Sequence, residues 1–361
     1  MCPVVKTVKQ GHIILDTMPF IQYNINIALH ISQNQYPKFS EKFNWGMVLA
    51  YTWFFIGFII DGWAHHHVKV TETFFTPWHA ILYSGFLSVA LFLLINSFYN
   101  YRRGYSWKKT LPEGYNISLI GILVFLCAGF FDFFWHIFFG FELSIEILLS
   151  PTHLLLATGG TLMISGVVRA SQRNNKNTFV QQLPLIIAAG YMIALFGFMT
   201  QYAHPFVVPY AAVPFITKPI SYGQALGISG IILQTALLMG VILFVIKRDN
   251  LKPGAYTIIL TLNAFFISFM KDHYIFIIPS LLTGIIIDFL LLFIFPRIKS
   301  WSLHIFSFFL PITLFTFYFV TLYLSLGVWW STNVWAGGIV LAGVTGLLLS
   351  FLTKSYGRTK L

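Results

Sequence analysis

Ten stretches of roughly 20 predominantly apolar residues run through this chain, each long enough to cross the hydrocarbon core of a bilayer as a helix. They lie at about 45–63, 78–99, 116–138, 151–169, 183–203, 222–246, 255–271, 275–296, 303–326 and 333–353. Within lipid, backbone N–H and C=O groups have no water to bond, so a spanning apolar segment must satisfy them internally as a helix. Composition agrees. Only 9% of the 361 residues are charged and 57% are hydrophobic, whereas soluble domains carry about 25% charged residues. The expected fold is all-α, a polytopic transmembrane bundle of about ten helices arranged as five hairpins. The gap between 255–271 and 275–296 is the shortest, which makes that pair the weakest boundary.

The net charge of +11 comes from 22 basic residues. All but Lys69, Lys218 and Lys271 fall at the N-terminus, the C-terminus or in alternate loops, including Arg102, Arg103, Lys108, Lys109, Arg169, Lys247 and Arg248. This asymmetry follows the rule that cytoplasmic loops are rich in Lys and Arg. It predicts cytoplasmic termini and hairpin tips on the extracytoplasmic face of a plasma membrane, and it removes the reason to invoke nucleic acid. Residues 1–44, with Lys6, Lys9 and Asp16, are expected to be a cytoplasmic or interfacial leader without an evident cleavable signal. Residues 45–170 form a duplicated hairpin unit, and 171–361 supply further spans. Cys2 and Cys127 make neither a metal motif nor an expected disulfide.

The duplication is carried by polar residues at the predicted outer boundary. DGWAHHHVKVTETFFTPWH gives Asp61-x3-His65, Glu72 and then Pro77-x-His79; DFFWHIFFGFELSIEILLSPTH gives Asp132-x3-His136, Glu142, Glu146 and then Pro151-x-His153. Residues four apart share a helix face, so each acid and the following histidine point the same way. Proline favours the first helical turn, which places His79 and His153 at the start of the returning helices. Each hairpin thus brings one carboxylate and two imidazoles to one depth. Such a donor set suits copper, zinc or iron, and the absence of thiolates argues against Cys-ligated zinc or an iron–sulfur site. A polar seam between helices would use the same residue types, but two patterned copies favour ligation. His66 and His67 are accessory candidates, as are the three acids Glu72, Glu142 and Glu146. His204 in the third hairpin tip and the adjacent pair Asp272 and His273 are weaker ones. Asp288, alone inside a span, is expected to bond to another helix or line a cavity.

The first segment resembles a metal-binding membrane segment of the copper membrane monooxygenases, the particulate methane and ammonia monooxygenase family. Asp61, Gly62, His65, Thr76, Pro77 and His79 fit its Asp-Gly-x-x-His and Thr-Pro-x-His pattern. The second hairpin is similar to the second metal-binding hairpin of the same family subunit, with Asp132 where the family pattern has Asn. The resemblance covers about residues 45–170 and implies two adjacent copper sites, Asp61/His65/His79 and Asp132/His136/His153. About six further spans depart from the family subunit. The resemblance also implies other membrane subunits, an electron donor outside this chain and a small apolar substrate. Three functions follow: a copper-dependent oxidoreductase or part of one, a membrane metal-handling protein, or a structural subunit using the motif as polar glue. Transport is disfavoured, because acids and histidines stop at the outer boundary apart from Asp288. No catalytic residue is assigned.

Overall fold

The computed structural model describes residues 35–38, 40–68, 75–140, 145–171, 178–213, 220–293 and 302–353. These residues form helices and contain no strand. In chain order the helices are α1 (Glu41–His67), α2 (Pro77–Arg102), α3 (Asn116–Phe139), the single turn α4 (Glu146–Leu149), α5 (Pro151–Ser171), α6 (Phe179–Met199), α7 (Ile220–Ile246), α8 (Ala255–Phe269), α9 (Ile277–Phe293), α10 (Ser302–Ser325) and α11 (Thr332–Thr353).

Nine segments among the described residues are long and apolar enough to cross a membrane, counting the turn Tyr274–Phe276 with α9. The tenth expected span, 255–271, is the exception. As α8 it has 15 residues, about 22 Å at 1.5 Å per residue, short of a hydrocarbon core of about 30 Å. It stops because the chain turns at Met270–His273, where Asp272 adopts a left-handed backbone with φ 57°.

Asp288 explains how α8 begins. The residue before that helix is Gly254, with φ +94° and no side chain to cap the orphan N–H groups of the first turn. Asp288 on α9 reaches across and accepts from Tyr256 N at 3.3 Å, Thr257 N at 2.9 Å and Thr257 Oγ1 at 2.6 Å. The acid is thus a helix cap supplied by a neighbouring helix. Asp288→Ala leaves three donors unmet and is expected to cost roughly 2–3 kcal/mol, with Asp288→Asn in between; thermal unfolding in detergent reads both.

α6 is the central helix, buried on nearly all sides and packed against α1, α5, α7 and α8. The pairs α1–α2, α3–α5 and α10–α11 pack closely, but α6 makes its largest interface with α8, and α7 makes its largest with α11. Close approach in the first two pairs depends on glycine. A Cβ on Gly57 would sit 2.7 Å from Leu82 Cα, and one on Gly85 would collide with Phe54 Cα. Between α3 and α5, a Cβ on Gly159 would lie 2.7 Å from Phe125 N. These contacts hold the two hairpins in register. The end of α1 thus meets the start of α2 and the end of α3 the start of α5, and the end of α6 joins them where Phe198 packs against Gly62. Gly337, by contrast, has open space where a Cβ would go. Trp330 is buried against Phe319, while its neighbour Trp329 is half exposed.

Candidate metal centre

The two returning helices start in the same way. Thr76 precedes Pro77 and its hydroxyl accepts from His79 N at 3.2 Å; Ser150 precedes Pro151 and its hydroxyl accepts from His153 N at 3.4 Å. A Ser or Thr cap followed by proline at the first helical position is a strong local start signal. It fixes each histidine in the first turn, aimed back at the acid on the preceding helix. α1 remains helical through His67, where Val68 N bonds Ala64 O at 2.8 Å, so His65 does share the face of Asp61.

In the first group His79 Nε2 is 3.2 Å from Asp61 Oδ1 and His65 Nε2 is 4.0 Å from Asp61 Oδ2. In the second, His153 Nε2 is 3.4 Å from Asp132 Oδ1 and His136 Nε2 is 3.5 Å from Asp132 Oδ2. Within each group one ligand atom per residue lies within 4.8 Å of the others, and no further such group occurs among the described residues. Donors about 2.1 Å from one ion stand at most about 4.2 Å apart, so small side-chain adjustments suffice.

The two groups differ in how their carboxylates are satisfied. Asp132 is almost fully buried and its Oδ1 accepts from Thr152 Oγ1 at 2.6 Å. His153 Nδ1 bonds Ser150 Oγ at 2.8 Å and His136 Nδ1 bonds Gly140 O at 3.3 Å. These contacts engage Nδ1 of each ring, as partners of metal-bound histidines commonly do, and Nε2 of both rings faces Asp132. Asp61 Oδ1, by contrast, is shielded from solvent and makes no hydrogen bond. His79 Nε2 is close to it but out of hydrogen-bond alignment. A buried carboxylate oxygen left this way is costly unless a cation meets it, so this donor set fits a bound metal ion.

Thr152 and Ser150 escaped the sequence reading. The signal was present in the repeat itself, since Thr152 fills the middle position of Pro-x-His, where the first hairpin has Trp78. Thr152→Val is expected to weaken metal at the second site by about 10–100-fold while leaving the first unchanged, as measured by competitive chelator titration.

Both groups open on one cavity of about 60 Å³, lined by Asp61, His65, His79, Asp132 and His153, with Tyr83, Phe125 and Phe198 among its other walls. Tyr83 lies one turn beyond His79 on α2 and its hydroxyl passes over Gly129 on α3, where a Cβ would be 3.0 Å away. Gly62, next to Asp61, makes room for the ring of Phe198.

The accessory candidates lie elsewhere. His66 Nε2 pairs with Gln201 Oε1 at 2.7 Å, and His67 stacks on Trp63 and bonds Asp272 Oδ2 at 2.9 Å. Both turn away from the Asp61 face, because successive helical residues rotate by about 100°. Asp272 also accepts from Tyr274 Oη at 2.9 Å, and these two bonds hold its carboxyl below the usual range. His273 Nδ1 faces Phe206 O at 3.0 Å instead, so Asp272 and His273 do not converge. His204 is buried, its Nδ1 accepts from Phe206 N at 3.1 Å, and burial pushes its pKa down to about 3, keeping it neutral. It belongs to neither group. Glu146 begins α4 as an exposed residue outside both groups. Glu72 and Glu142 lie outside the described residues.

Fold and site together define a multi-pass helical, membrane-type protein carrying two Asp/His/His groups that have the geometry to hold metal ions. Comparison with family models, curated proteins and solved structures gives no match.

Proposed function

We propose that this chain is a membrane copper protein that binds one ion at Asp61/His65/His79 and one at Asp132/His136/His153, and that it serves a copper-dependent oxidation related to that of the copper membrane monooxygenases. The observation that carries this reading is the convergence of both groups on a single small cavity walled by Leu82, Phe125 and Leu156. Two carboxylates and four imidazoles gathered at the end of a transmembrane bundle are expensive unless paired with a cation or given a task. Copper is chosen over zinc or iron because both hairpins resemble the metal-binding hairpins of that family; the nitrogen and oxygen donors are compatible with all three.

Each residue has a defined part. Asp61 and Asp132 supply the anionic donors, and the four histidines offer Nε2. Thr152, Ser150 and the Gly140 carbonyl orient the second group, while Leu82, Phe125 and Leu156 wall the cavity. Copper held by these residues would supply one-electron chemistry. The electrons come from a partner outside this chain. Among the described residues Lys42, Arg102, Arg103, Lys108, Lys109, Arg169, Lys247, Arg248 and Lys252 lie at or beyond the helix ends opposite the site, against Lys271 at the site end. That distribution supports cytoplasmic termini and an extracytoplasmic metal centre.

Elemental analysis after copper loading and desalting of the detergent-purified protein tests the reading. The expected result is two copper ions per chain. Protein that retains no transition metal refutes it.

A further inference from the structure

A second, larger chamber of about 470 Å³ adjoins the metal cavity. Its size is that of a small-molecule site, for which about 300–1,000 Å³ is usual. The two spaces share His65, Ile147, Leu148 and Phe198 as walls. The metal cavity, about 60 Å³, has room for about two water-sized groups at about 30 Å³ each, so a larger ligand must keep its body in the chamber.

The chamber's lining is chemically one-sided. Ile145, Ile147, Val207 and Val208 make an apolar portion, while Lys271 contributes the one formal charge and no carboxylate belongs to the described lining. Asp272, adjacent in sequence, is occupied by His67 and Tyr274 and is not a wall of the chamber. Gln201 is 5% exposed and its Oε1 is taken by His66. Its amide nitrogen bonds no described residue, yet it is not sealed from open space, so it presents donors to the chamber. His66 bonds Gln201 and, like Lys271, lines the chamber. A cation and a fixed amide N–H lining one chamber suit a carboxylate, because charge-assisted hydrogen bonds are the strong ones.

We propose that the chamber binds a monocarboxylate with a compact apolar body, its carboxylate held by Lys271 and Gln201 and its apolar end directed towards His65. Binding stands on the chamber's own lining; only the ligand's role as the molecule oxidised rests on the copper reading.

The test uses the full chain in nanodiscs and 4-(4-fluorophenyl)butanoate as probe, followed by ¹⁹F NMR, with both metal-free and copper-loaded protein. Saturable binding is expected in both states, about ten-fold weaker in Lys271→Gln and in Gln201→Ala, preserved in Lys271→Arg and blocked by Ile145→Trp. The neutral primary amide of the same acid is expected to bind poorly. Absence of saturable binding, or equal binding of the amide together with an unaffected Lys271→Gln, overturns the proposal. Because the metal-free arm does not depend on copper, failure of the copper reading would appear in the metal analysis and leave this result standing.

Discussion

Replacing Asp61 with Asn is expected to move stability in opposite directions depending on metal. In metal-free protein Asp61 Oδ1 is a buried acceptor without a hydrogen bond, and removing a poorly compensated buried charge is neutral or stabilising. In copper-loaded protein the same change removes the anionic donor. It forfeits the stabilisation that a ligand gives by binding only the folded state, which grows as RT ln(1 + [L]/Kd). Thermal unfolding with chelator and with copper should therefore show the variant at or above wild type in the first case and well below it in the second. Asp132→Asn should behave differently: asparagine keeps an acceptor for Thr152, but the charge-assisted character of that bond is lost and an NH2 group replaces an oxygen facing His136 or His153, so the change is destabilising even without metal. Copper counts follow the same division: Asp61→Ala with His65→Ala should retain only the second ion, Asp132→Ala with His136→Ala only the first. A variant with all four changes should retain none. Wild-type and Asp61→Asn protein that respond identically to copper would contradict ligation by Asp61.

The second large effect is expected at Gly85. A side chain there meets the backbone of α1 at Phe54, where there is no flexible end to move aside, so the helices must separate. Overpacking of this kind costs about 1–3 kcal/mol and sometimes more. Gly85→Val should lower the thermal midpoint and abolish copper at the first site, because His79 on α2 would withdraw from Asp61 on α1. The second site, held by the Gly159 contact between α3 and α5, should keep its ion in whatever fraction remains folded. Gly337→Ala is the control. It adds a methyl where nothing lies within 4 Å, and alanine favours a helix over glycine, so both stability and copper content should be unchanged or slightly improved. Retention of both ions by Gly85→Val would show that the α1–α2 spacing does not set the first site.

Much of the architecture was legible because the constraint that produced it is one-dimensional. A long apolar segment in lipid has little choice but helix, and nine of the ten expected spans are helices of spanning length. The site was legible for a related reason. Asp-x3-His on a helix and a capped Pro-x-His at a helix start are both local geometries, and their repetition separated them from chance. What misled was equally local in character. The apolar content of 255–271 conceals that α8 is short, because its start depends on Asp288 from another helix and its end on the turn around Asp272. Helical rotation already set His65 apart from His66 and His67 in the sequence, but only the positions of Gln201 and Asp272 decide where the latter two turn.

From its sequence alone this chain is a membrane-type helical protein with two copies of an acid-and-two-histidine pattern, because hydrophobic length and helical periodicity act on neighbouring residues. Only the tertiary structure decided that the two copies share one cavity, that Asp132 is hydrogen-bonded while Asp61 Oδ1 is not, and that a donor-lined chamber lies beside them. Those features depend on contacts between residues far apart in the chain, set by how closely glycine allows particular helices to approach, and no spacing along the sequence encodes that distance.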